Sequence, residues 1–370
     1  MNKIETTLPM KTKDKLIHIE LIRILAAFLV IFNHTGSNGY FLFASYPFGT
    51  FPYFTYMIFT VICKIAVPLF LMVTGALLLK KDIPLKNIYK DKILRIFLVL
   101  SLFSAFYYVR LYVLEYSDIL SIPDFLIRLY KGDIIVPYWY LYAYISFLTA
   151  FPFLRAMVKS LPEYGYRYLI ILSIIFVSII PPLEYYLSSG EVSLNQYGKI
   201  GWLFTNIVIY PLVGYYLENI LEFEKINKKH LIILTLFTIF GIFISCYMTY
   251  FKHNITGKCT EETSQDFLSI FALPVSISLY IKIKYLCEKV QFSDIINKII
   301  LSIGGCSFGI YLIHVAIIES NFINSLWKNL TKINKCNYMI SILLLCILTM
   351  FLSYIITFIL KKIPGIKKIL

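Results

Sequence analysis

Residues Leu16–Thr35 read LIHIELIRILAAFLVIFNHT, a run long and apolar enough to cross a membrane that still carries charged and titratable side chains. Its apolar centre, Ile24 to Phe32, is bracketed by Arg23 on one side and His34 on the other. On a helix rising about 1.5 Å per residue, these two side chains stand roughly 16 Å apart along the axis, and eleven steps of about 100° return them to nearly the same face. Glu20, three residues before Arg23, is placed to pair with it and orient it. A charge at a helix centre in lipid costs about 2.5–3.5 kcal/mol, so such residues normally face a bundle interior or a water-filled cavity. Taken separately, Arg23 snorkelling to one interface and His34 lying where the helix leaves the membrane are plainer explanations. Their shared face favours a site, with a fixed cation at one end and a titratable base at the other.

The composition of the rest agrees with a membrane setting. Of 370 residues, 59% are apolar and only 15% charged, with a mean hydropathy of +0.74, whereas soluble domains run about 45–50% apolar and about 25% charged. The expected fold class is all-α, a polytopic membrane protein. The first fifteen residues are polar and basic and show no apolar core with a small-residue cleavage site, so the first helix is expected to double as the targeting signal. Seven cysteines form no CxxC pair and no His/Cys cluster at ligand spacing, so neither a metal nor a redox centre is expected. Cys259 and Cys336 fall in loops on the same outer side, where two unpaired thiols are a better reading than a disulfide.

Apolar runs of roughly 20 residues predict about ten transmembrane helices, at 16–35, 53–79, 93–114, 138–158, 166–187, 201–220, 231–251, 266–285, 299–320 and 338–360. With the amino terminus inside, 24 of the 35 Lys and Arg fall in inner segments and eight in outer ones. The positive-inside rule therefore puts both termini in the cytoplasm. The net charge of +14 belongs to topology rather than to nucleic-acid binding. The expected organisation is a cytoplasmic tail over 1–15, one membrane domain over 16–361 and a basic cytoplasmic tail over 362–370.

Further candidates lie on other helices. Lys64 sits near mid-bilayer in the second, where it needs a partner, water or an anionic ligand; Pro68 is expected to kink that helix and free a backbone carbonyl. Lys92 and Arg95, three residues apart at the mouth of the third, can clamp a phosphorylated ligand, although attraction to anionic lipid explains the basic run around them. The run VPYWYLYAY places Trp139 and Tyr140 at the outer interface, where an aromatic belt suffices as explanation and sugar stacking is the functional alternative. Ser307, Tyr311 and His314 share one face of the ninth helix, and His314 lies at a depth comparable to His34. A buried histidine bonded to a tyrosine is a common structural arrangement; two intramembrane histidines at one depth suggest a shared site. The small residues around Gly304 and Gly305 permit close packing.

Together these stretches resemble the acyltransferase-3 family of ten-helix membrane acyltransferases, especially the branch acting on surface polysaccharides. Arg23 and His34 match its Arg-x10-His motif, VPLFLMVTG (Val67–Gly75) looks like its second-helix pattern, WYLYA (Trp139–Ala143) its fourth-helix signature, and SFGIYLIH (Ser307–His314) its late motif. The chain differs in having Glu20 where aspartate is frequent, Lys92 where an arginine is, and Thr74 where serine is. The resemblance implies transfer of an acyl group, usually acetyl, from cytoplasmic acyl-CoA to a hydroxyl of a cell-surface or lipid-linked glycan, in the bacterial plasma membrane. Expected roles follow: His34 as general base or covalent acyl carrier, Lys64, Tyr311 and His314 stabilising an oxyanion or orienting His34, and Glu20 orienting Arg23. Arg23, Lys92 and Arg95 would hold the donor; Trp139, Tyr140 and Asn33 would meet the acceptor. Expected partners are acyl-CoA, a glycan acceptor and membrane lipids, with no metal and no nucleic acid; a homo-oligomer is left open. The alternative is a non-catalytic exporter or flippase of a polysaccharide or its lipid-linked precursor, for which a phosphate-binding pair beside Arg23 and His34 has no particular use.

Overall fold

A computed structural model describes residues 17–117, 119–189, 206–259, 267–333 and 338–370. Among them all regular structure is helical. The principal helices are α1 (Ile17–Asn33), α2 (Phe51–Cys63), α3 (Ala66–Leu78), α4 (Leu94–Val113), α5 (Ile122–Lys131), α6 (Trp139–Ser160) and α7 (Glu163–Leu187, with a π-helical stretch at Ile174–Ile179). They continue as α8 (Asn206–Asn219), α9 (Lys228–Thr256), α10 (Ala272–Lys289), α11 (Asp294–Gly304), α12 (Ser307–Ile318), α13 (Asn321–Ile333), α14 (Tyr338–Leu360) and α15 (Pro364–Ile369). Six described helical stretches are long and apolar enough to cross a membrane, or seven when α11 and α12 count as one span. The remaining expected spans, at 16–35, 201–220 and 266–285, coincide with α1, α8 and α10, whose described lengths are 17, 14 and 18 residues. The expected tail 1–15 and Cys336 lie outside the described residues.

The helix read first is the central one. α1 packs against α2, α3, α10, α11, α12 and α14, and most of its side chains are buried, from Ile17 through Phe32. Its remaining flank, Leu21, Ile24, Leu25 and Phe28, borders an apolar groove shared with α10 and α14. Beside it α3 and α8 pack backbone to backbone. Gly75 faces the main chain of Pro211 and Gly214 the main chain of Met72, so a β-carbon at either position would collide with peptide atoms that cannot move aside.

Two expected spans are broken. The second parts at Lys64–Ile65, between α2 and α3. The cause is Pro68, four residues on: it has no N–H for the Lys64 carbonyl and its ring crowds that carbonyl, so the break falls one turn before the proline rather than at it. The ninth parts at Gly305–Cys306, where α11 and α12 meet at 63°. Gly304 fits where the chain presses on α1: an added β-carbon would lie 2.7 Å from Glu20 Cβ and closer still to its carboxylate.

Two expected outer loops contain helices, α5 and α13. α5 starts where the Ser121 hydroxyl accepts the Asp124 N–H and stops at Gly132, whose φ of 75° is left-handed. The basic segment 362–370 likewise contains α15, which packs against α4.

Candidate active site

Two recesses approach α1 from opposite ends. The first, about 890 Å³ with its open mouth, is lined by Arg23, Thr74, Arg95, Tyr140, Tyr144, Gly304, Gly305, Ser307, Phe308 and Tyr311, among others. Its inner wall is the start of α12. α12 begins within the bundle with Ser307 and Phe308 at this cavity, so the positive end of its helix dipole lies on the same side as two guanidinium groups. Arg23 donates from Nη1 to Glu20 Oε1 at 2.7 Å, the pairing that the spacing predicts. Lys361 donates to the Gly305 carbonyl at 2.8 Å, bracing the bend. Arg95 donates from Nε to the Ile369 carbonyl at 2.9 Å, so α15 lies at the mouth, and Leu370 lines the cavity.

Lys92 does not line this cavity although Arg95 does. It lies in a π-helical stretch, Ile88–Ile93, that widens the turn just before Arg95. Tyr140 also lines this cavity, as Thr74 does, and so lies among the groups expected for the donor. Trp139, the residue before it at the start of α6, is 48% exposed and lines neither recess. Asn33 is half-buried next to His34.

The histidines meet. His314 Nε2 lies 3.1 Å from His34 Nδ1 across the α1–α12 contact, with ring centroids 5.0 Å apart. His34 Nδ1 also lies 2.8 Å from the Val30 carbonyl, and His314 Nδ1 lies 2.6 Å from the Tyr311 carbonyl. A carbonyl only accepts, so both Nδ1 atoms carry hydrogen. His34 then donates to Val30 and toward His314 Nε2, and His314 donates to Tyr311. This assignment leaves His34 Nε2 as the nitrogen with a free lone pair. The site therefore presents one basic nitrogen on a ring held from behind by a backbone carbonyl and a second ring.

The Tyr311 hydroxyl donates to the Pro137 carbonyl, so its single hydrogen is already committed away from His34. Its ring packs 6.0 Å from His314 and closes the inner end of the first cavity. Lys64 sits at the α2–α3 break with its Nζ over the Tyr40 ring at 4.9 Å, and its charge reaches His34. Two tyrosines outside the expected set fix α12: Tyr107 and Tyr138 both donate to the Leu312 carbonyl, at 3.2 and 2.9 Å, and the Ala316 N–H donates to the Tyr107 oxygen. Tyr138 belongs to the aromatic run already noted, whereas nothing in its local sequence marks Tyr107.

The second recess, about 410 Å³ with its mouth, starts one step past the histidines and is lined by Thr35, Asn38, Ile318, Ile323, Asn324, Trp327, Ile342, Leu345, Cys346 and Thr349. Thr35 follows His34, and Ile318 lies one turn beyond His314. Among the described residues no group of His, Cys, Asp or Glu side chains could hold a metal ion. A family model described as an acyltransferase domain matches residues 16–358. Neither a curated protein nor a solved structure matches the chain.

Proposed function

We propose, since the chain belongs to the acyltransferase-3 family, that this membrane acyltransferase takes an acyl group, in the first instance acetyl, from cytoplasmic acyl-CoA and passes it to a hydroxyl of a glycan on the far side of a bacterial plasma membrane. On this reading the chain crosses the membrane ten times with both termini inside, and the Arg23–Arg95 cavity opens to the cytoplasm. One observation carries the proposal: the cavity ends at Tyr311, one turn from a histidine pair whose lone-pair nitrogen is defined by its hydrogen bonds.

Arg23, Arg95 and the first turn of α12 supply fixed positive charge suited to the phosphates of the donor, and the bend lets that helix start do so inside the bundle. His34 Nε2 takes the proton from the acceptor hydroxyl as that oxygen attacks the thioester carbonyl. The C–S bond breaks, the acyl–oxygen bond forms, and the proton passes on to the departing thiolate. General-base help of this kind contributes about 10²–10⁴ in rate. His34 Nε2 is placed equally well to attack the carbonyl itself and carry the acyl group to the acceptor. In either course Lys64 supplies positive charge near the developing oxyanion, while Glu20 and His314 are positioning residues for Arg23 and His34.

The test uses purified full-length protein in lipid nanodiscs and [14C]acetyl-CoA, with membranes of the host as the source of acceptor. Label should enter glycan with wild-type protein and fail to do so with His34→Ala, while His34→Ala still binds acetyl-CoA. Glycan labelling by His34→Ala at the wild-type rate would remove His34 from the mechanism.

A further inference from the structure

We infer that the recess between α1, α12, α13 and α14 is the acceptor subsite and that it holds a single hydroxylated sugar unit of the glycan. This rests on the acyl-transfer reading above. The recess is continuous in sequence with the histidine pair on two sides: Thr35 is the residue after His34, just past the end of α1, and Ile318 is the residue one turn after His314 on α12. A ligand seated there lies on the side of the pair opposite the arginine cavity.

Its walls state what kind of ligand that is. Ile318, Ile323, Ile342 and Leu345 make it apolar below, Trp327 offers an aromatic face, and Asn38 and Asn324 place carboxamides at the exposed rim. An aromatic face under a C–H surface, ringed by amide donors and acceptors, suits a pyranose better than a hydrocarbon chain or a charged group. The inner wall adds an independent observation. Thr349 lines the recess, is 1% exposed, and its hydroxyl has no hydrogen-bond partner. Threonines elsewhere in these helices return the hydroxyl to the carbonyl four residues back, as Thr74, Thr235, Thr238 and Thr249 do at 2.8 Å. Thr349 does not. Ser353 and Thr357 on α14 also lack partners, but neither lines the recess. A buried hydroxyl without a partner is costly, and a ligand hydroxyl satisfies it where an acyl chain would not.

The experiment compares wild-type protein with Thr349→Val and Trp327→Ala in nanodiscs, reading two quantities. One is binding of [14C]acetyl-CoA alone; the other is transfer of label to the host membrane fraction, separated into glycan and solvent-extractable lipid. Both variants should bind acetyl-CoA as wild type does and lose at least ten-fold in glycan labelling, with Thr349→Ser restoring most of it. Wild-type labelling of glycan by all variants overturns the subsite and leaves the acyl-transfer reading intact. Label confined to lipid, or variants that lose acetyl-CoA binding and glycan labelling together, also overturns it. Wild-type protein that binds acetyl-CoA and labels nothing overturns the transfer reading and the subsite with it.

Discussion

The two recesses on either side of the histidine pair are built on opposite principles. The arginine cavity recognises by charge: two guanidinium groups and a helix start, oriented by a buried carboxylate and a bend. The recess beyond His34 carries no formal charge in its lining and recognises by shape, with apolar walls, one indole and scattered amides and hydroxyls. A phosphorylated donor has charge to be recognised, and a neutral sugar does not. The asymmetry also means that salt acts on one side far more than on the other.

Removing the group between the two regions has the largest expected effect. His34→Ala should lower transfer by about 10²–10⁴ without weakening either recess, read as turnover at saturating donor. Next comes Arg95→Ala, which should raise the Kd for acetyl-CoA about 10–100-fold, because a charge-assisted hydrogen bond is worth about 1.5–3 kcal/mol. Arg95→Lys should recover only part of that, since it keeps the charge and loses the fork. An unchanged Kd in Arg95→Ala would dissolve the contrast between the recesses. His314→Phe should cost about ten-fold in kcat with KM for donor unchanged, because the Val30 carbonyl still holds the His34 ring; His314→Gln, which keeps an acceptor, should restore much of it. Tyr311→Phe should matter least, under about three-fold, because its hydroxyl serves the Pro137 carbonyl. A hundred-fold loss there would instead make Tyr311 the oxyanion donor.

Local periodicity revealed what depends on one helix. The Glu20–Arg23 pair and the common depth of the two histidines follow from helical spacing, and the structure joins Glu20 to Arg23 and His34 to His314. What depends on packing between helices was hidden. Pro68 announced a break, but its position at Lys64–Ile65 follows from the carbonyl it leaves without a donor. Gly304 and Gly305 read as packing residues; that the span also breaks beside them, with Gly304 pressed against Glu20, was not legible. Tyr140 carries an interface-type side chain yet is buried at the cavity with Thr74, and Lys92 falls in a π-helical turn that its local sequence does not signal. The recess with Trp327 and Thr349 joins residues hundreds of positions from Thr35, beyond the reach of any local pattern.

The packing of α1 carries a consequence for biogenesis. It is the first of the described helices to leave the ribosome, yet α10, α11, α12 and α14, which cover much of its polar length, are made last. For most of synthesis a segment bearing Glu20, Arg23 and His34 has no finished enclosure and a lipid phase that disfavours it. Its retention until α14 arrives is then a task for the insertion machinery. A chain cut before Tyr338 would keep every proposed catalytic side chain and still lack the wall that encloses them.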